Sequence, residues 1–356
     1  MLILGIDTSC DDTSASVVED GTRILSNVVS SQEGIHRKYG GIVPELASRR
    51  HIEMVWPVVD EALKNADKRL EDLSAIAVCH GPGLIGSLLV GCSFAKAVCF
   101  ARNIPLVSVN HLEGHIFSCF LDRTEGGGMP ELYQRVPQFP FIALIVSGGH
   151  TSLYRVDGFG RYTELGRTRD DAAGEAYDKV SKLLGLGYPG GPAIDKFAGE
   201  GDPEKVNFPR AYLPNDLDFS FSGLKTSVLN YLRKIRGGEM STLFSDSGLS
   251  TISDELLKDI CASFQQAVID VLVRKTEWAM KRERITAAAV SGGVGANSSL
   301  RKELALMAER NGFTLFIPPV YLCTDNAAMI SAAGYHHFVS GRTAGVDLNP
   351  VAYLLL

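Results

Sequence analysis

Short apolar runs separated by polar bends open the chain, at the spacing of β-strands. They predict strands at residues 2–6, 15–18 and 23–29. Residues 7–14, between the first two strands, are rich in Asp, Thr and Ser. Such a bend presents hydroxyls, carboxylates and backbone amides together, which suits a phosphate or a metal-bridged phosphate. Polar hairpin turns without a ligand are also common, so the bend alone leaves both interpretations open.

Apolar residues then recur at helical spacing. Residues 44–65 predict a helix, and strands at residues 74–78 and 104–109 enclose an apolar helix at residues 84–101. The apolar helix is about as long as a short membrane span, but it contains Lys96 and several small or polar residues. We therefore predict a helix buried between two layers of one domain, and no membrane association.

The opening pattern recurs in the second half of the chain. Strands are again predicted at residues 139–146, 152–156 and 162–165, with a polar bend between the first two. A larger share of helix follows them. This is a weak internal duplication, visible in pattern rather than in identity. The predicted fold class is α/β, with two lobes that each contain a mixed sheet.

Composition suggests where these lobes meet. Three consecutive glycines lie in a polar stretch after residue 121, which predicts a flexible link, and residues 237–252 are Ser-rich, which predicts a mobile loop. The predicted divisions are an N-terminal lobe (1–121), the link (122–138), a C-terminal lobe with helical insertions (139–340) and a tail (341–356).

Composition also narrows the class of protein. The 356 residues are 45% hydrophobic and 21% charged, as in an ordinary globular chain with material for two cores. The net charge of −6 argues against coating nucleic acid by bulk attraction, but it permits a local basic face. The seven cysteines form no C-x-x-C pair, and the N-terminus carries no basic segment before the first strand. A cytoplasmic protein with reduced thiols is expected.

A histidine pair follows the strand at residues 104–109. His111 and His115 are four residues apart, so on a helix they lie about 40° from each other and both imidazoles can reach one ion. Glu113 lies roughly 200° from His111, away from that face, whereas a zincin places its glutamate directly after the first histidine. The pattern favours a metal pair and argues against a metalloprotease. Two structural histidines are the alternative.

Glycine-rich bends follow three of the predicted strands. Residues 81–86 read G-x-G-x-x-G, but the next strand lacks the acidic residue that a dinucleotide site requires, so a tight strand–helix turn is favoured. Residues 147–151 and 291–297 are expected to bring backbone amides close to a phosphate or a flat base.

The motifs together resemble one family. Two strand–bend–strand halves with later glycine loops look like the actin/Hsp70/sugar-kinase (ASKHA) superfamily, in which two duplicated mixed-sheet domains surround a central cleft. Residues 5–12, 111–115, 146–151, 218–226 and 324–326 closely resemble TsaD, the tRNA N6-adenosine threonylcarbamoyltransferases once labelled glycoproteases. The resemblance runs from residue 1 to about residue 340. One departure is Asp12, where many bacterial members carry Glu.

This resemblance implies a metal site and a ligand set. The implied cofactor is one divalent metal ion per subunit, iron or zinc, held by His111, His115 and Asp325; two imidazoles and a carboxylate suit either ion. The implied binding residues for threonylcarbamoyl-AMP are Ile145, Val146, Ser147, Gly148, Gly149, Asp178, Gly191, Asp195 and Asn297.

The resemblance also implies the reaction. The threonylcarbamoyl group would pass from threonylcarbamoyl-AMP to N6 of the adenosine beside the anticodon (position 37) in tRNAs that read codons starting with A. No Ser-His-Asp set or G-x-S-x-G elbow is visible, so no covalent enzyme intermediate is expected. Asp11 and Asp12 are candidates to take the amine proton, by their position in the bend alone. The implied protein partners are TsaB and TsaE.

Two other functions compete with this one. The fold class also hosts ATP-dependent kinases and ATPases, and the histidine pair brings a zinc metallopeptidase into consideration. An actin-type ATPase holds its metal through phosphate and has no need of imidazoles, and the position of Glu113 disfavours the peptidase.

Contact with tRNA phosphates requires local basic patches on so acidic a chain. The candidates are Arg37-Lys38 with Arg49-Arg50, and Arg233-Lys234-Arg236. Each patch could instead be a solvated basic face.

Overall fold

Two five-stranded mixed sheets form the framework of the protein in the computed structural model, which describes residues 1–121, 138–213, 216–235 and 252–356. The first sheet has the order β3-β2-β1-β4-β5. Its first three strands are antiparallel, and the last two join in parallel. The bounds of these strands are β1 (Leu2–Asp7), β2 (Asp12–Glu19), β3 (Arg23–Ser31), β4 (Ala75–Gly81) and β5 (Leu106–Asn110).

The second sheet repeats this arrangement. Its order is β8-β7-β6-β9-β10, again with an antiparallel trio followed by two parallel strands. The duplication predicted from the strand pattern is therefore present in the topology as well. The bounds are β6 (Phe141–Val146), β7 (Thr151–Gly158), β8 (Arg161–Arg167), β9 (Ala287–Ser291) and β10 (Thr314–Phe316).

Helices cover both faces of the first sheet. The first half of the chain supplies α1 (Glu33–His36), α2 (Pro44–Asn65), α3 (Ile85–Arg102) and α4 (His111–Ser118). Helices α2 and α3 pack against each other and against one face of the sheet. The opposite face is covered by the last helix of the chain together with α4, and it has its own apolar core.

Helix α3 is less enclosed than its sequence suggested. Leu88, Cys92 and Ala95 are buried toward the sheet, but Leu89 is 52% exposed and Phe100 is 80% exposed. The prediction of a helix buried between two layers is therefore wrong for one face, which no described element covers. Among the described helices, α3 is the one long and apolar enough to cross a membrane by length and composition.

The second half carries the larger helical share. Its helices are α5 (Ala173–Leu184), α6 (Gly190–Ala198), α7 (Ser222–Ile235), α8 (Asp254–Glu283), α9 (Ser298–Asn311), α10 (Val320–Cys323) and α11 (Ala327–Val339). Helix α8 is the centre of this packing: it spans 30 residues, contacts α6, α7 and α9, and contributes a buried apolar face to the largest core of the molecule.

The chain crosses between the lobes again near its end. Helix α11 lies in the range predicted for the C-terminal lobe, yet it packs on β1, β2, β4 and β5 of the first sheet. Residues beyond it follow the first lobe, since Ala344 pairs with Leu106 and the backbone N–H of Val351 donates to the carbonyl of His80 at 2.7 Å. The predicted domain bounds stay a prediction. The link and the Ser-rich loop lie almost entirely outside the described residues.

Candidate active site

The helix that carries the histidine pair begins where β5 ends. Asn110 caps it, because its side-chain oxygen accepts a hydrogen bond from the backbone N–H of Leu112 at 2.9 Å. Every residue of α4 is buried. Since no loop separates the strand from the helix, His111 lies at the carboxyl end of a parallel strand, the edge at which open α/β sheets bind ligands.

Three predicted metal ligands meet at this edge. Oδ1 of Asp325 lies 3.4 Å from Nε2 of His111 and 3.2 Å from Nε2 of His115. Within the described residues, neither ring nitrogen of the fully buried His115 makes a well-formed hydrogen bond, although Nε2 lies against the Asp325 carboxylate. Buried polar groups that converge without a hydrogen bond cost free energy, and a bound cation would offset that cost. Two imidazoles and a carboxylate converging in this way fit a divalent transition metal.

Residues of the first bend contact Nδ1 of His111, the ring nitrogen opposite the one that lies near Asp325. Its Nδ1 lies 3.2 Å from Oδ2 of Asp7 and 3.1 Å from Oγ of Ser9. When Nδ1–H donates to the carboxylate, Nε2 keeps its lone pair on the side of Asp325. This is the tautomer that a metal requires.

The charges of the cluster are strongly interdependent. Burial opposes a charge on His111, but the carboxylates of Asp325 and Asp7 outweigh it and raise the pKa of His111 well above its usual range. Burial would likewise raise the pKa of Asp325, but His111 and His115 hold the pKa of that carboxyl well below its usual range. The metal-free cluster is thus an ion pair, and an incoming cation must displace its proton.

Two further carboxylates lie in the same bend. Burial, followed by the charge of Asp325, raises the pKa of Asp11 to about 6. Burial, followed by the charge of Asp11, raises the pKa of Asp12 to about 7. One oxygen of Asp12 is buried and accepts no hydrogen bond from the described residues. A carboxyl group that titrates near neutrality can exchange a proton with a bound substrate at neutral pH.

Five of the predicted ligand residues form the end of β6 and the bend that follows it: Ile145, Val146, Ser147, Gly148 and Gly149. The turn closes when the backbone N–H of Ser147 donates to the carbonyl of His150 at 2.8 Å. Gly148 and Gly149 are exposed, and a β-carbon at either position would meet nothing within 4 Å. The backbone at this bend therefore faces open space that a ligand can enter.

Asp178, midway along α5, lies beside the first turn of α6, which contains Gly191. Oδ1 of Asp178 accepts a hydrogen bond from the backbone N–H of Gly190 at 2.7 Å. Burial raises the pKa of Asp178, and this hydrogen bond opposes the rise. A β-carbon at Gly191 would also meet nothing within 4 Å, so this helix N-terminus is open to a ligand.

Asp195 and Asn297 are instead engaged within the protein. Oδ1 of Asp195 accepts from Asn297 Nδ2 at 3.1 Å, and Oδ2 accepts from the backbone N–H of Ser298 at 3.1 Å. Asn297 also caps α9 through the backbone N–H of Leu300 and donates to Gln265 at 2.7 Å. These two residues join α6, α8 and α9 beside the glycine loop at residues 292–296, so they support the loop directly.

Comparison with known proteins identifies the family. The family model described as TsaD, tRNA N6-adenosine threonylcarbamoyltransferase, matches residues 23–332. This chain belongs to the TsaD family. A tRNA N6-adenosine threonylcarbamoyltransferase of Thermodesulfovibrio yellowstonii is 54% identical over 356 residues and covers 100% of both chains. One of Syntrophus aciditrophicus is 51% identical, with 99% of this chain and 97% of its own chain covered.

Solved structures agree on the fold. Full-length HypF in a phosphate- and nucleotide-bound form aligns with a TM-score of 0.55 at 12% identity, over 95% of this chain and 46% of HypF. The activator of 2-hydroxyisocaproyl-CoA dehydratase from Clostridium difficile aligns with a TM-score of 0.50 at 12% identity, over 96% of this chain and 97% of the activator. The predicted two-lobed ASKHA fold class is confirmed.

The carboxylate of Glu113, between the two histidines, is engaged away from the metal cluster. Oε1 of Glu113 accepts from the hydroxyl of Tyr162 at 2.5 Å, and Oε2 lies 2.7 Å from Nε2 of His337. Glu113 therefore ties α4 to β8 and α11, on the side away from Asp325. Neither this arrangement nor family membership favours the peptidase, and the histidine pair disfavours the kinase and ATPase alternative.

The three arginines of the first predicted basic patch each pair with a glutamate. Arg37 pairs with Glu33, Arg49 with Glu45 at 2.9 Å, and Arg50 with Glu53 at 2.6 Å, all at exposed positions. Opposite charges so close cancel most of the field that would attract a phosphate. The second predicted patch, Arg233-Lys234-Arg236, is only partly described, because Arg236 lies outside the described residues.

Sequence reasoning missed several residues around the cluster. Asp7 and Ser9 are part of the polar bend at residues 7–14 but had no individual role in the sequence prediction, and neither did Cys79, whose thiol groups with Asp7 and His111 in the structure. A usable signal existed: Asp7 and Cys79 lie at or near the carboxyl ends of neighbouring parallel strands β1 and β4, the edge from which α4 also starts.

Proposed function

We propose that this chain transfers the threonylcarbamoyl group from threonylcarbamoyl-AMP to N6 of the adenosine beside the anticodon of tRNA, giving t6A. The observation that carries the proposal is the convergence of His111, His115 and Asp325 near the open Gly148-Gly149 bend, in a chain of the TsaD family. In this acyl transfer the amine attacks the carbamoyl carbon and AMP leaves.

Metal dependence is general in the TsaD family, and the histidine cluster would provide the site for the ion in this chain. His111, His115 and Asp325 would hold one iron or zinc ion. When bound, such an ion supplies Lewis-acid stabilisation of the charge that develops on the carbonyl or the leaving phosphate. Asp7 would keep the Nε2 lone pair of His111 directed toward it.

The donor would lie along the open bend. Backbone N–H groups near Gly148 and Gly149, together with the start of α6 at Gly191, suit the negative charge of the adenylate. Asp178 sits beside Gly191 and can accept hydrogen bonds from ribose hydroxyls. Asp195 and Asn297 would act on the donor by holding the glycine loop in place, because their polar atoms already bond within the protein.

We infer that Asp12 is the stronger of the two candidate bases. Its pKa of about 7 makes both protonation states available at neutral pH, and one of its oxygens lacks a hydrogen bond within the described residues. It would accept the proton that leaves the N6 amine. Asp11, with a pKa of about 6, shares the site and its charge helps to keep the pKa of Asp12 raised.

The chain would work with TsaB and TsaE in the cytoplasm, where tRNA is modified. The apolar face shared by α2 and α3 suits a protein partner, since Ile52, Trp56, Leu89 and Phe100 are each at least half exposed there. We assign TsaB to this face.

Nucleoside analysis of tRNA tests the proposal. Cells depleted of this protein should lose t6A, and the wild-type gene should restore it. A His115→Ala variant should restore neither t6A nor bound metal, because it removes one of three ligands. His36→Ala is the matched control, since His36 is equally buried but lies outside the cluster, bonded to Gln32. Normal t6A in depleted cells would refute the function.

A further inference from the structure

A second cleft lies beside the open bend. Its volume is about 500 Å³, and it is lined by residues 149–152 at the start of β7, residues 167–169 at the end of β8, and Asp218. Its walls combine hydroxyls, an imidazole, two guanidinium groups and a carboxylate. None of the residues assigned to the metal, and only Gly149 of those assigned to the adenylate, lines this cleft.

The floor of the cleft is held rigidly by backbone pairing. Thr168 forms a parallel bridge with Phe219: the backbone N–H of Arg169 donates to the carbonyl of Phe219 at 3.0 Å, and that of Phe219 donates to the carbonyl of Arg167 at 2.9 Å. The residues that follow are fixed as well, because Asp170 accepts from the hydroxyls of Ser220 and Ser222 at 2.6 and 2.7 Å.

Two hydrogen bonds fix the orientation of the guanidinium plane of Arg169. Nε donates to Oδ2 of Asp218 at 2.8 Å, and Nη2 donates to Oδ2 of Asp216. The side chain is nevertheless 54% exposed. A planar cation whose edge is bonded to carboxylates interacts with a ligand chiefly through its flat face.

The electrostatics of the cleft disfavour a phosphate. The charges of Arg167 and Arg169 are matched by those of Asp216 and Asp218, and the two carboxylates would lie next to any phosphate bound on Arg169. A neutral flat group meets no such repulsion. Nucleobases in single-stranded RNA loops are neutral and flat, and proteins commonly stack them on arginine planes.

The cleft also adjoins the reacting groups. His150, which lines the cleft, is close enough to the metal cluster that the charges of His111 and His115, after burial, lower its pKa to about 4. Its imidazole thus forms the wall of the cleft on the side of the cluster. A nucleotide bound in the cleft would be a short distance along the RNA strand from the nucleotide that reaches the metal cluster.

We propose that this cleft binds a nucleobase of the tRNA anticodon loop, other than the target adenosine, stacked on the face of Arg169. The inference rests on the proposed function, because it takes tRNA as the substrate. It adds a site that holds the loop in position by stacking, without neutralising a phosphate.

The test uses binding alone, with the full chain, an anticodon stem-loop RNA and no donor. Each loop nucleotide in turn is made abasic. One position besides the target adenosine should weaken binding to the wild-type protein about 5- to 100-fold, the range for loss of a stacked base. Arg169→Lys keeps the charge but loses the plane, so it should weaken binding of the intact loop by a similar factor.

The two changes should not add. In the Arg169→Lys protein, the sensitive abasic position should have little further effect, because the stacked pair has already been lost. Arg169→Ala should leave the salt dependence of binding unchanged, whereas loss of a phosphate contact would reduce the slope by about 1. Arg161→Lys is the matched control, since Arg161 is an exposed arginine at the other end of β8 that donates to the carbonyl of Asp157.

Three results would overturn the proposal: wild-type affinity that is insensitive to every abasic position but the target, additive losses in the double test, or a shallower salt slope for Arg169→Ala. The abasic scan of the wild-type protein decides even where a substitution lowers the melting temperature. Formation of t6A by the wild-type protein with its partners is measured in parallel. If t6A forms but the scan is flat, the cleft assignment fails and the proposed function stands.

Discussion

Replacement of Asp7 by Asn tests how the first bend controls the histidine cluster. Oδ1 of Asp7 accepts from the backbone N–H of Ser9 at 2.8 Å, and Oδ2 lies 3.2 Å from Nδ1 of His111. The Asn carbonyl can keep the first bond. Its NH₂ group then faces Nδ1 and can only donate, which favours the tautomer of His111 with a proton on Nε2, the nitrogen needed by the metal.

The expected loss follows from this geometry. Removing a carboxylate that orients a metal-binding histidine costs 10- to 100-fold in metal affinity, or about 1.4–2.7 kcal/mol. Ser9→Ala removes the other contact to Nδ1, which spans 3.1 Å and is a neutral hydrogen bond. That loss should be about 0.5–1.5 kcal/mol, at most roughly tenfold, so the two variants should differ clearly.

Competition with a chromogenic zinc chelator measures both affinities on the purified chain, without any transferase assay. Melting temperatures of the metal-free proteins serve as the control for folding. Equal zinc affinity for wild type and Asp7→Asn would refute the tautomer argument. Equal losses for Asp7→Asn and Ser9→Ala would show that crowding around Nδ1, and not the carboxylate, orients the ring.

Three further outcomes are expected. Metal affinity should rise about tenfold per pH unit while His111 is protonated and level off above its raised pKa, with one proton released per ion, as calorimetry in buffers of different ionisation enthalpy can measure. Gly292→Ala should destabilise the protein by about 1–3 kcal/mol in urea unfolding, because Gly292 has φ +91° and a β-carbon would lie 2.4 Å from the carbonyl of Val146; Gly293→Ala, with open space around it, should not. Phe100→Ser should weaken TsaB binding in pull-down assays without changing the melting temperature. Leu306→Ser, at an exposed apolar position on α9, should leave TsaB binding unchanged.

Periodicity alone predicted most of the framework because each sheet is built from local signals. The strands of both trios are short apolar runs next to polar bends, and the structure has them within a few residues of the predicted positions. The exposed face of α3 was invisible to the same reasoning. An apolar run shows that a helix can be buried, but it does not show which layers exist to cover it, and Phe100 lies on the uncovered side.

The site was predictable only where its residues are close in sequence. The spacing of His111 and His115 places both on one helix face, and the same geometry turns Glu113 toward Tyr162 and His337. Asp325 entered through family resemblance, since more than 200 residues separate it from His115 and no periodicity relates them. Its approach depends on the chain returning from the second sheet to the first just before α11.

The duplicated scaffold explains why the two halves carry different chemistry. Equivalent antiparallel hairpins present the bend of residues 7–14 from one lobe and the bend of residues 147–151 from the other. The first bend is acidic: Asp7 lies against Nδ1 of His111, and after burial the charge of Asp11 raises the pKa of Asp12. The second bend is glycine-rich and open. In the proposed reaction, the open bend would receive the negatively charged adenylate and the acidic bend would serve the metal and the proton transfer, because an acidic surface repels an adenylate and an open backbone favours it. The transferred carbonyl would then lie between the two bends.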